Sequence, residues 1–192
     1  MPTREPGIRF VLLRPRNAEN LGAAARALKN FGLSDWAWVQ PSPEVAAALG
    51  PARRLAVHAE ELLDQAARPP SLAEAVADCA WVVGTSSRTV PGRRRLSPRG
   101  AAEEAVRRAA GATVAVVFGD ERSGLTNAEV QRCHALSSVP ADPAQPSLNL
   151  AQAVLLYAYE LRLARLAAQP PPRAPAAAPA SDQELETLRR SL

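Results

Sequence analysis

Short apolar runs alternate with helical patterns along most of the chain, and this alternation limits the possible folds more than any other feature. The run TVAVVF at Thr113–Phe118 is the most convincing predicted strand. Further strands are predicted at Ile8–Leu13, Trp36–Val39, residues 80–83 and residues 136–139. Strands that alternate with helices predict an α/β fold in which helices flank a mainly parallel sheet.

The helical pattern after the first strand has one apolar face and ends at Gly32, a natural position for the residue that follows a helix. Its opposite face carries Gly22, Arg26 and Lys29. A glycine leaves a helix face open. An arginine at such a position is usually a surface residue, but the preceding strand and loop favour an Arg26 that faces a crevice at the ends of the strands.

Further helices are predicted between the later strands. Residues 44–67 are alanine-rich and mostly helical by propensity, with a division at the Gly-Pro pair of residues 50–51. Residues 101–110 are also helical. S-x-x-E and T-x-x-E spacings at residues 71–74 and 126–129 have the form of capping boxes, which mark helix starts.

The stretch VPADPAQPSLNLAQAV at residues 139–154 joins a stiff loop to the longest helical pattern. Three prolines restrict the backbone of the loop, and Ser147 stands where an N-cap is expected. Asn149 adds an amide to the first turn. A stiff loop that leads into a capped helix fixes its backbone N–H and C=O groups, and this array predicts a site for a small polar ligand.

Three loops follow predicted strands: GTSSR at 84–88, FGDERSGL at 118–125 and VPADPAQPSLNL at 139–150. Ligands of open α/β sheets bind beyond the carboxyl ends of the strands, so we expect these loops to line one crevice. Their hydroxyl and amide groups suit a nucleoside or an amino acid. The sequence contains neither GxxxxGK[ST] nor GxGxxG, which disfavours a P-loop enzyme and a dinucleotide-dependent dehydrogenase.

The charge of the chain allows an acidic partner. The formal net charge is +4, which is compatible with nucleic acid and equally with a merely basic surface. Arg88, Arg93, Arg94, Arg95 and Arg99 share one predicted loop that contains no acidic residue. Such a run is typical of phosphate contacts, and a solvated basic loop is the alternative.

Cysteine usage and hydropathy indicate the compartment. Cys79 and Cys133 stand far apart without a CxxC pair, so they predict reduced structural cysteines in a cytoplasmic protein with no metal site. We expect no signal peptide and no membrane span. Residues 1–168 form the predicted domain, residues 169–181 a Pro/Ala-rich linker, and residues 182–192 the start of a helical extension that is cut short.

Three segments, taken in order, resemble the motifs of the SPOUT RNA methyltransferases, TrmH branch. They are NAENLGAAARALKNFGL at 17–33, FGDERSGLTNAEVQRC at 118–133 and VPADPAQPSLNLAQAV at 139–154, and the Gly-Thr-Ser segment at 84–86 contributes as well. Within this branch the chain most resembles the TrmJ-like tRNA ribose 2′-O-methyltransferases. The resemblance covers about residues 7–165, with the motifs in the correct order and spacing.

The resemblance implies a fold and a set of site residues. It implies a homodimer of α/β domains, each with a C-terminal deep trefoil knot that holds S-adenosylmethionine in a bent conformation. The implied cofactor contacts are Thr85, Ser86, Ser87, Gly119, Val139, Pro140 and Leu148. The implied reaction centre consists of Arg26, Asn20, Glu121, Ser147 and Asn149. On charge alone, the candidate RNA contacts are Lys29, Arg88, Arg93, Arg94 and Arg95.

The implied reaction is the transfer of a methyl group from a sulfonium to a ribose 2′-hydroxyl of tRNA, at position 32 of the anticodon loop. No metal is needed. Because a guanidinium group stays protonated in proteins, we expect Arg26 to contact the target phosphate and 2′-oxygen and to stabilise the developing alkoxide. Two alternatives remain open: a non-catalytic RNA-binding module on the same scaffold, and a 2′-O-methyltransferase that acts on rRNA.

Overall fold

The computed structural model describes residues 7–169 and residue 190. Within that part of the chain, six strands form one parallel sheet: β1 (Ile8–Leu13), β2 (Trp36–Val39), β3 (Cys79–Thr85), β4 (Arg94–Leu96), β5 (Thr113–Phe118) and β6 (Ala135–Ser137). Their order across the sheet is β2-β1-β5-β3-β6-β4. The predicted linker and C-terminal extension lie outside the described residues, apart from Gln169 and Arg190.

Helices connect the strands and cover both faces of the sheet. They are α1 (Ala18–Asn30), α2 (Pro43–Ala47), α3 (Gly50–Ala56), α4 (Glu60–Gln65), α5 (Leu72–Ala75), α6 (Pro98–Ala109), α7 (Asn127–Arg132) and α8 (Leu150–Ala168). The larger core packs α1, α3, α4, α6 and α8 against one face, and a smaller core with α5 and α7 covers the other. The predicted α/β class with a mainly parallel sheet is therefore confirmed.

Burial on both faces explains why the central strands are apolar without interruption. Successive side chains of a strand point to opposite faces. In β5, Val116 and Phe118 belong to the larger core, whereas Ala115 and Val117 belong to the smaller one. Every residue of β5 is buried, so it has no solvent-facing position that would call for a polar residue.

Arg9 is the charged exception in β1. Its guanidinium is buried, with only 7% of the side chain exposed, and it donates to both carboxylate oxygens of Asp35 at 3.1 Å. It also donates to Asp78 at 2.6 and 2.9 Å and to the carbonyl oxygen of Ala75 at 2.8 Å. These bonds fasten β1 to the segment that follows α5. No role for Arg9 was predicted from the sequence.

Two local expectations are wrong. Arg94–Leu96 forms the edge strand β4, paired with β6, although a loop is predicted there from the sequence. The face of α1 that carries Gly22 is not open, because α3 covers it at that point. A Cβ atom on Gly22 would lie 2.0 Å from the carbonyl oxygen of Ala52, so the glycine serves close helix packing.

The two cysteines are separate thiols. Cys133 is buried and Cys79 is half-buried. Burial raises the pKa of the Cys133 thiol to about 11, which fits a structural role for a residue packed beneath β3. Among the described residues, no helix combines the length and the apolar character needed to cross a membrane.

Candidate active site

A cavity of about 320 Å³ lies at the carboxyl ends of β3, β5 and β6. Its walls come from residues 85–88 after β3, residues 118–125 after β5, residues 137–139 after β6, and the segment that enters α8. The parallel sheet brings these segments together because all of its strands end at the same edge. The three loops singled out in the sequence thus share one crevice, whose volume is typical of a small-molecule site.

Six of the seven predicted cofactor contacts line this cavity: Thr85, Ser86, Ser87, Gly119, Val139 and Leu148. Pro140 is exposed and lies outside the lining. The hydroxyl of Thr85 donates to the carbonyl oxygen of Val117 at 3.1 Å, so its oxygen is left to accept. The rim therefore offers both backbone groups and hydroxyl oxygens to a ligand.

Gly119 is required by the geometry of the loop after β5. This loop folds back on itself, with paired backbone hydrogen bonds of 3.0 and 2.8 Å between Asp120 and Gly124. A Cβ atom on Gly119 would lie 2.3 Å from the carbonyl carbon of Gly124 and 2.5 Å from the backbone nitrogen of Leu125. A larger residue would thus displace the backbone that forms one wall of the cavity.

Three predicted catalytic residues form one hydrogen-bonded chain, which we call the Asn20 bridge. The Asn20 amide nitrogen donates to Glu121 at 2.6 Å, and the Asn20 amide oxygen accepts from the Asn149 amide nitrogen at 2.9 Å. Glu121 also accepts from the backbone nitrogen of Arg16 at 2.6 Å. The bridge therefore joins the N-terminal turn of α1, the loop after β5 and the start of α8.

The predicted N-cap at Ser147 is wrong. Asn149 caps α8, since its side-chain oxygen accepts from the backbone nitrogens of Ala151 at 2.8 Å and Gln152 at 3.3 Å. Serine and asparagine are both good N-cap residues, and Asn149 is the one that immediately precedes the first helical residue, Leu150. Ser147 lies instead on the exposed edge of the cavity.

Arg26 lies apart from the other predicted catalytic residues. Its side chain is exposed on α1 and does not line the cavity. The expectation that Arg26 faces the crevice is therefore wrong for a single chain. The physical reason is helical spacing, because Arg26 lies almost two turns beyond Asn20, which reaches the cavity edge through Glu121.

The predicted basic RNA contacts mostly engage other groups of the protein. Lys29 pairs with Glu61 and the carbonyl oxygen of His58. The other guanidinium contacts are Arg88 to Asn127 and Leu125, Arg93 to Cys133 and Gln131, and Arg95 to Ser87, Thr89 and Ser138. Arg94 is exposed on β4, and Lys29, Arg88 and Arg95 are exposed as well. The expectation of one basic loop is wrong only in that β4 interrupts it, and the RNA contacts stay a prediction.

Asp120 was not predicted, yet its carboxylate organises the loop after β5. Its side chain is 1% exposed, and it accepts from the backbone nitrogens of Arg122 at 2.9 Å and Ser123 at 3.0 Å, and from Arg16 at 2.8 Å. Burial alone would raise its pKa, but these hydrogen bonds outweigh burial and lower the pKa to about 2. Asp120 thus holds a fixed negative charge beneath the cavity.

Asp120→Asn is expected to lose about 2 kcal/mol of unfolding free energy at pH 7, the equivalent of the lowered pKa. An asparagine amide would also turn a donor toward the Arg16 donor. Because the folded-state pKa of Asp120 is depressed, this stabilisation is complete above the unfolded-state pKa of about 4 and disappears as the pH falls toward 2. Urea unfolding of both proteins at several pH values measures the difference.

The control for this prediction is Asp142→Asn, at an exposed loop carboxylate that accepts from the backbone nitrogen of Ala144. Its unfolding free energy is expected to stay within about 0.5 kcal/mol of wild type. A stability difference for Asp120→Asn that stays constant between pH 7 and pH 2 would contradict the proposed charge effect.

Two buried hydroxyls form the floor of the cavity and were also missed. The Tyr157 hydroxyl of α8 donates to Ser137 at 2.8 Å, and both residues line the cavity. The Tyr157 ring packs edge-on against Phe118, with 5.6 Å between centroids. Tyr157 falls within the longest helical pattern of the sequence, and its partner Ser137 lies 20 residues earlier, so the pair was not predicted.

The chain is an α/β domain with a parallel sheet and a partly polar cavity at the carboxyl ends of its strands, where ligands of such sheets bind. The chain belongs to the SpoU rRNA Methylase family, whose model matches residues 7–159. The resemblance found in the sequence is thus confirmed at the level of the family.

Two kinds of relatives support this membership. The tRNA (cytidine/uridine-2'-O-)-methyltransferase TrmJ of Photorhabdus laumondii is 41% identical over 169 residues, which cover 84% of this chain and 66% of that protein. The chain therefore spans slightly less than two thirds of that curated relative. The crystal structure of TrmJ from Z. mobilis ZM4 matches this fold with a TM-score of 0.76 and 36% sequence identity. The match covers 96% of this chain and 77% of that chain.

A more distant structure shares the fold. The SpoU methyltransferase AviRb from Streptomyces viridochromogenes, solved in complex with the cofactor AdoMet, has a TM-score of 0.64 and 20% identity. The match covers 86% of this chain and 63% of that chain. At this identity, the likeness concerns the arrangement of helices and strands.

Proposed function

We propose that this domain binds S-adenosylmethionine in the cavity and transfers its methyl group to a ribose 2′-hydroxyl of tRNA. The observation that carries the proposal is the convergence of the three motif loops on one cavity, with the Asn20 bridge at its edge. The TrmJ relatives support the choice of tRNA and of the ribose hydroxyl.

The residues of the cavity fit such a cofactor. Val139 and Leu148 supply apolar walls, whereas Ser86 and Ser87 offer the backbone and hydroxyl groups that a nucleoside requires. Charged groups of both signs, among them Glu121 and Arg122, also line the cavity and suit a zwitterionic amino-acid moiety. The AdoMet complex of AviRb supports the same choice of ligand for this fold.

The chemistry asked of the protein is mainly positioning. When bound, S-adenosylmethionine supplies a methyl group on a positively charged sulfur, so little further activation is needed. The Asn20 amide is held at both ends by the Asn20 bridge and fixes the orientation of the Glu121 carboxylate. Because Arg26 lies outside the cavity of its own chain, its proposed contact with the target phosphate and the 2′-oxygen would be made at the cavity of a second chain, while the hydroxyl proton leaves to the phosphate or to solvent.

We also propose that the segment after β6 completes a deep trefoil knot and that two chains form a homodimer. Support for the knot is the position of β6 between β3 and β4, because the chain returns into the middle of an earlier segment. Support for the dimer is a set of large apolar side chains exposed on α8: Leu155, Leu156, Tyr159, Leu163 and Leu166.

The anticodon loop as target, the cytoplasm as location and residues 1–168 as the catalytic domain are part of the same proposal. Ribosomal RNA is the second candidate substrate, because the description of the matching family names an rRNA methylase. The TrmJ relatives, at 41% and 36% identity over most of the chain, favour tRNA.

Calorimetry with S-adenosylmethionine and methyl transfer to tRNA test the proposal together. We expect cofactor binding, incorporation into tRNA and a new 2′-O-methyl mark in the anticodon loop. Transfer to rRNA alone would move the proposal to the second substrate, and binding without transfer would indicate the non-catalytic module. A wild-type chain that binds no S-adenosylmethionine would overturn the proposed function.

Two glycine variants, one at the cavity wall and one away from it, test whether the cofactor binds in this cavity. Gly119→Ala is expected to weaken cofactor binding strongly, because the added Cβ meets the backbone of Gly124. Gly111→Ala is the matched control, since a Cβ there meets no atom within 4 Å. It is expected to bind the cofactor as the wild type does.

A further inference from the structure

The loop of residues 86–93 joins β3 to β4, and its first three residues form one wall of the cavity. Few hydrogen bonds between backbone groups support this loop. The backbone nitrogen of Ser86 donates to the carbonyl oxygen of Ser137 at 2.8 Å, and that of Arg93 donates to Val90 at 3.2 Å. The part of the loop between these two bonds depends on side chains for its shape.

The guanidinium of Arg95 supplies such support. It donates to the hydroxyl of Thr89 at 2.8 Å and to the carbonyl oxygen of Ser87 at 3.1 Å. It also donates to the hydroxyl of Ser138, which follows β6, at 2.9 and 3.3 Å. Ser87 and Ser138 both line the cavity. One side chain thus links two different walls.

The register of β4 fixes where this side chain starts. Arg95 lies opposite Leu136 in the parallel pairing of β4 with β6. Side chains alternate along a strand, so Arg93 and Arg95 lie on one face, and Arg94 on the other. The contacts agree with this pattern, since Arg93 donates to the carbonyl oxygen of Cys133 and Arg95 to the hydroxyl of Ser138, which follows the same strand β6.

We propose that Arg95 is a positioning residue for cofactor binding, which holds Ser87 and Thr89 against Ser138 and so sets the distance between two walls of the cavity. The inference rests on the proposed function, since it takes the cavity as the S-adenosylmethionine site. The donors of the guanidinium are spread over three nitrogens in a fixed plane and so reach acceptors on separate segments, whereas the three donors of an ammonium group all start from one nitrogen. The geometry of Arg95, more than its charge, determines this role.

Three single variants of the full chain separate geometry from charge: Arg95→Ala, Arg95→Lys and Arg94→Ala. Arg95→Ala and Arg95→Lys are each expected to raise the Kd and the KM for S-adenosylmethionine about tenfold, through loss of charge-assisted hydrogen bonds. At saturating cofactor, kcat is expected to change less than about threefold, because the bonds act on binding. Arg94→Ala removes the same charge one residue away and should leave the Kd for S-adenosylmethionine unchanged.

Affinity for tRNA is expected to depend on the charge of these side chains and not on the geometry of the guanidinium. Arg95→Lys keeps the charge and should keep the tRNA Kd, whereas Arg94→Ala and Arg95→Ala should weaken tRNA binding equally. Amide hydrogen exchange of residues 86–90 in the cofactor-free protein reports the loop itself. Exchange should accelerate in both Arg95 variants and stay unchanged in Arg94→Ala.

Several results would overturn the proposal. Cofactor affinity at the wild-type level in Arg95→Lys would show that charge suffices, and unchanged loop exchange in Arg95→Ala would show that the contacts do not hold the loop. If the wild-type chain binds S-adenosylmethionine and Arg95→Ala binds it with the same Kd, the positioning role of Arg95 is excluded and the proposed function stands. A wild-type chain that binds no S-adenosylmethionine would remove the proposed function and this role with it.

Discussion

Arg26→Ala is expected to lower the rate of methyl transfer to tRNA at least about a hundredfold, while the Kd for S-adenosylmethionine stays at the wild-type value. The cofactor affinity should hold because Arg26 does not line the cavity. The rate should fall because a fixed positive charge beside the target phosphate and 2′-oxygen would stabilise the transition state, and losing one such donor costs roughly 10²–10³ in rate. Single-turnover methylation with saturating cofactor measures the effect.

Arg54→Ala is the matched control, because Arg54 is also an exposed arginine, on the neighbouring helix α3. It should methylate tRNA at the wild-type rate. Arg26→Lys adds a test of geometry, since a lysine keeps the charge but loses the planar donor pair. Near-normal transfer by Arg26→Ala with normal cofactor affinity would remove Arg26 from the reaction centre.

Arg9→Met is expected to lower the free energy of unfolding by about 3 kcal/mol. The substitution keeps much of the side-chain volume and removes the Arg9 donors to Asp35, Asp78 and the carbonyl oxygen of Ala75. The buried carbonyl and the two carboxylates then lose those donors. The figure lies at the low end for a broken buried pair because the Asp78 side chain is 53% exposed and regains some hydration.

Arg53→Met provides the comparison, since Arg53 pairs with Asp64 where both side chains are about half exposed. Its loss should be below about 1 kcal/mol. Urea unfolding curves give both values. Equal losses in the two variants would show that burial of the Arg9 network adds nothing to stability.

The sequence predicted five of the six strands of the described sheet because each of those strands is mostly buried and therefore apolar. Strand β4 was not predicted because its side chains are largely exposed and polar. Arg94 and Arg95 are exposed at the sheet edge, so the strand has no hydrophobic signal, and only its pairing with β6 makes it a strand. Arg9 likewise could not be placed, because its partners Asp35 and Asp78 are distant in sequence.

Some residues of the candidate site could be predicted from the sequence, namely those that a strand end or a motif places in the cavity wall. Gly119 and Ser86 fall at strand ends, and parallel strands bring those ends together. Roles that depend on which side chains meet were not predictable. Asn149 could be recognised as polar, but its partnership with Asn20 across 129 positions is set by the packing of α8 against α1. The three-way contact of Arg95 is set by strand register in the same way.

The position of β5 has a consequence for how this chain is made. β5 lies between β1 and β3 in the sheet although it follows both in the sequence, and β1 pairs only with β2 and β5 among the described strands. Until Thr113–Phe118 has left the ribosome, no strand links the β1–β2 pair to β3, and the facing edges of β1 and β3 stay open. Distant pairings form slowly, and open edges favour aggregation. Synthesis of this protein therefore includes an interval of exposed strand edges, in which the edges of β1 and β3 stay open until β5 pairs with both.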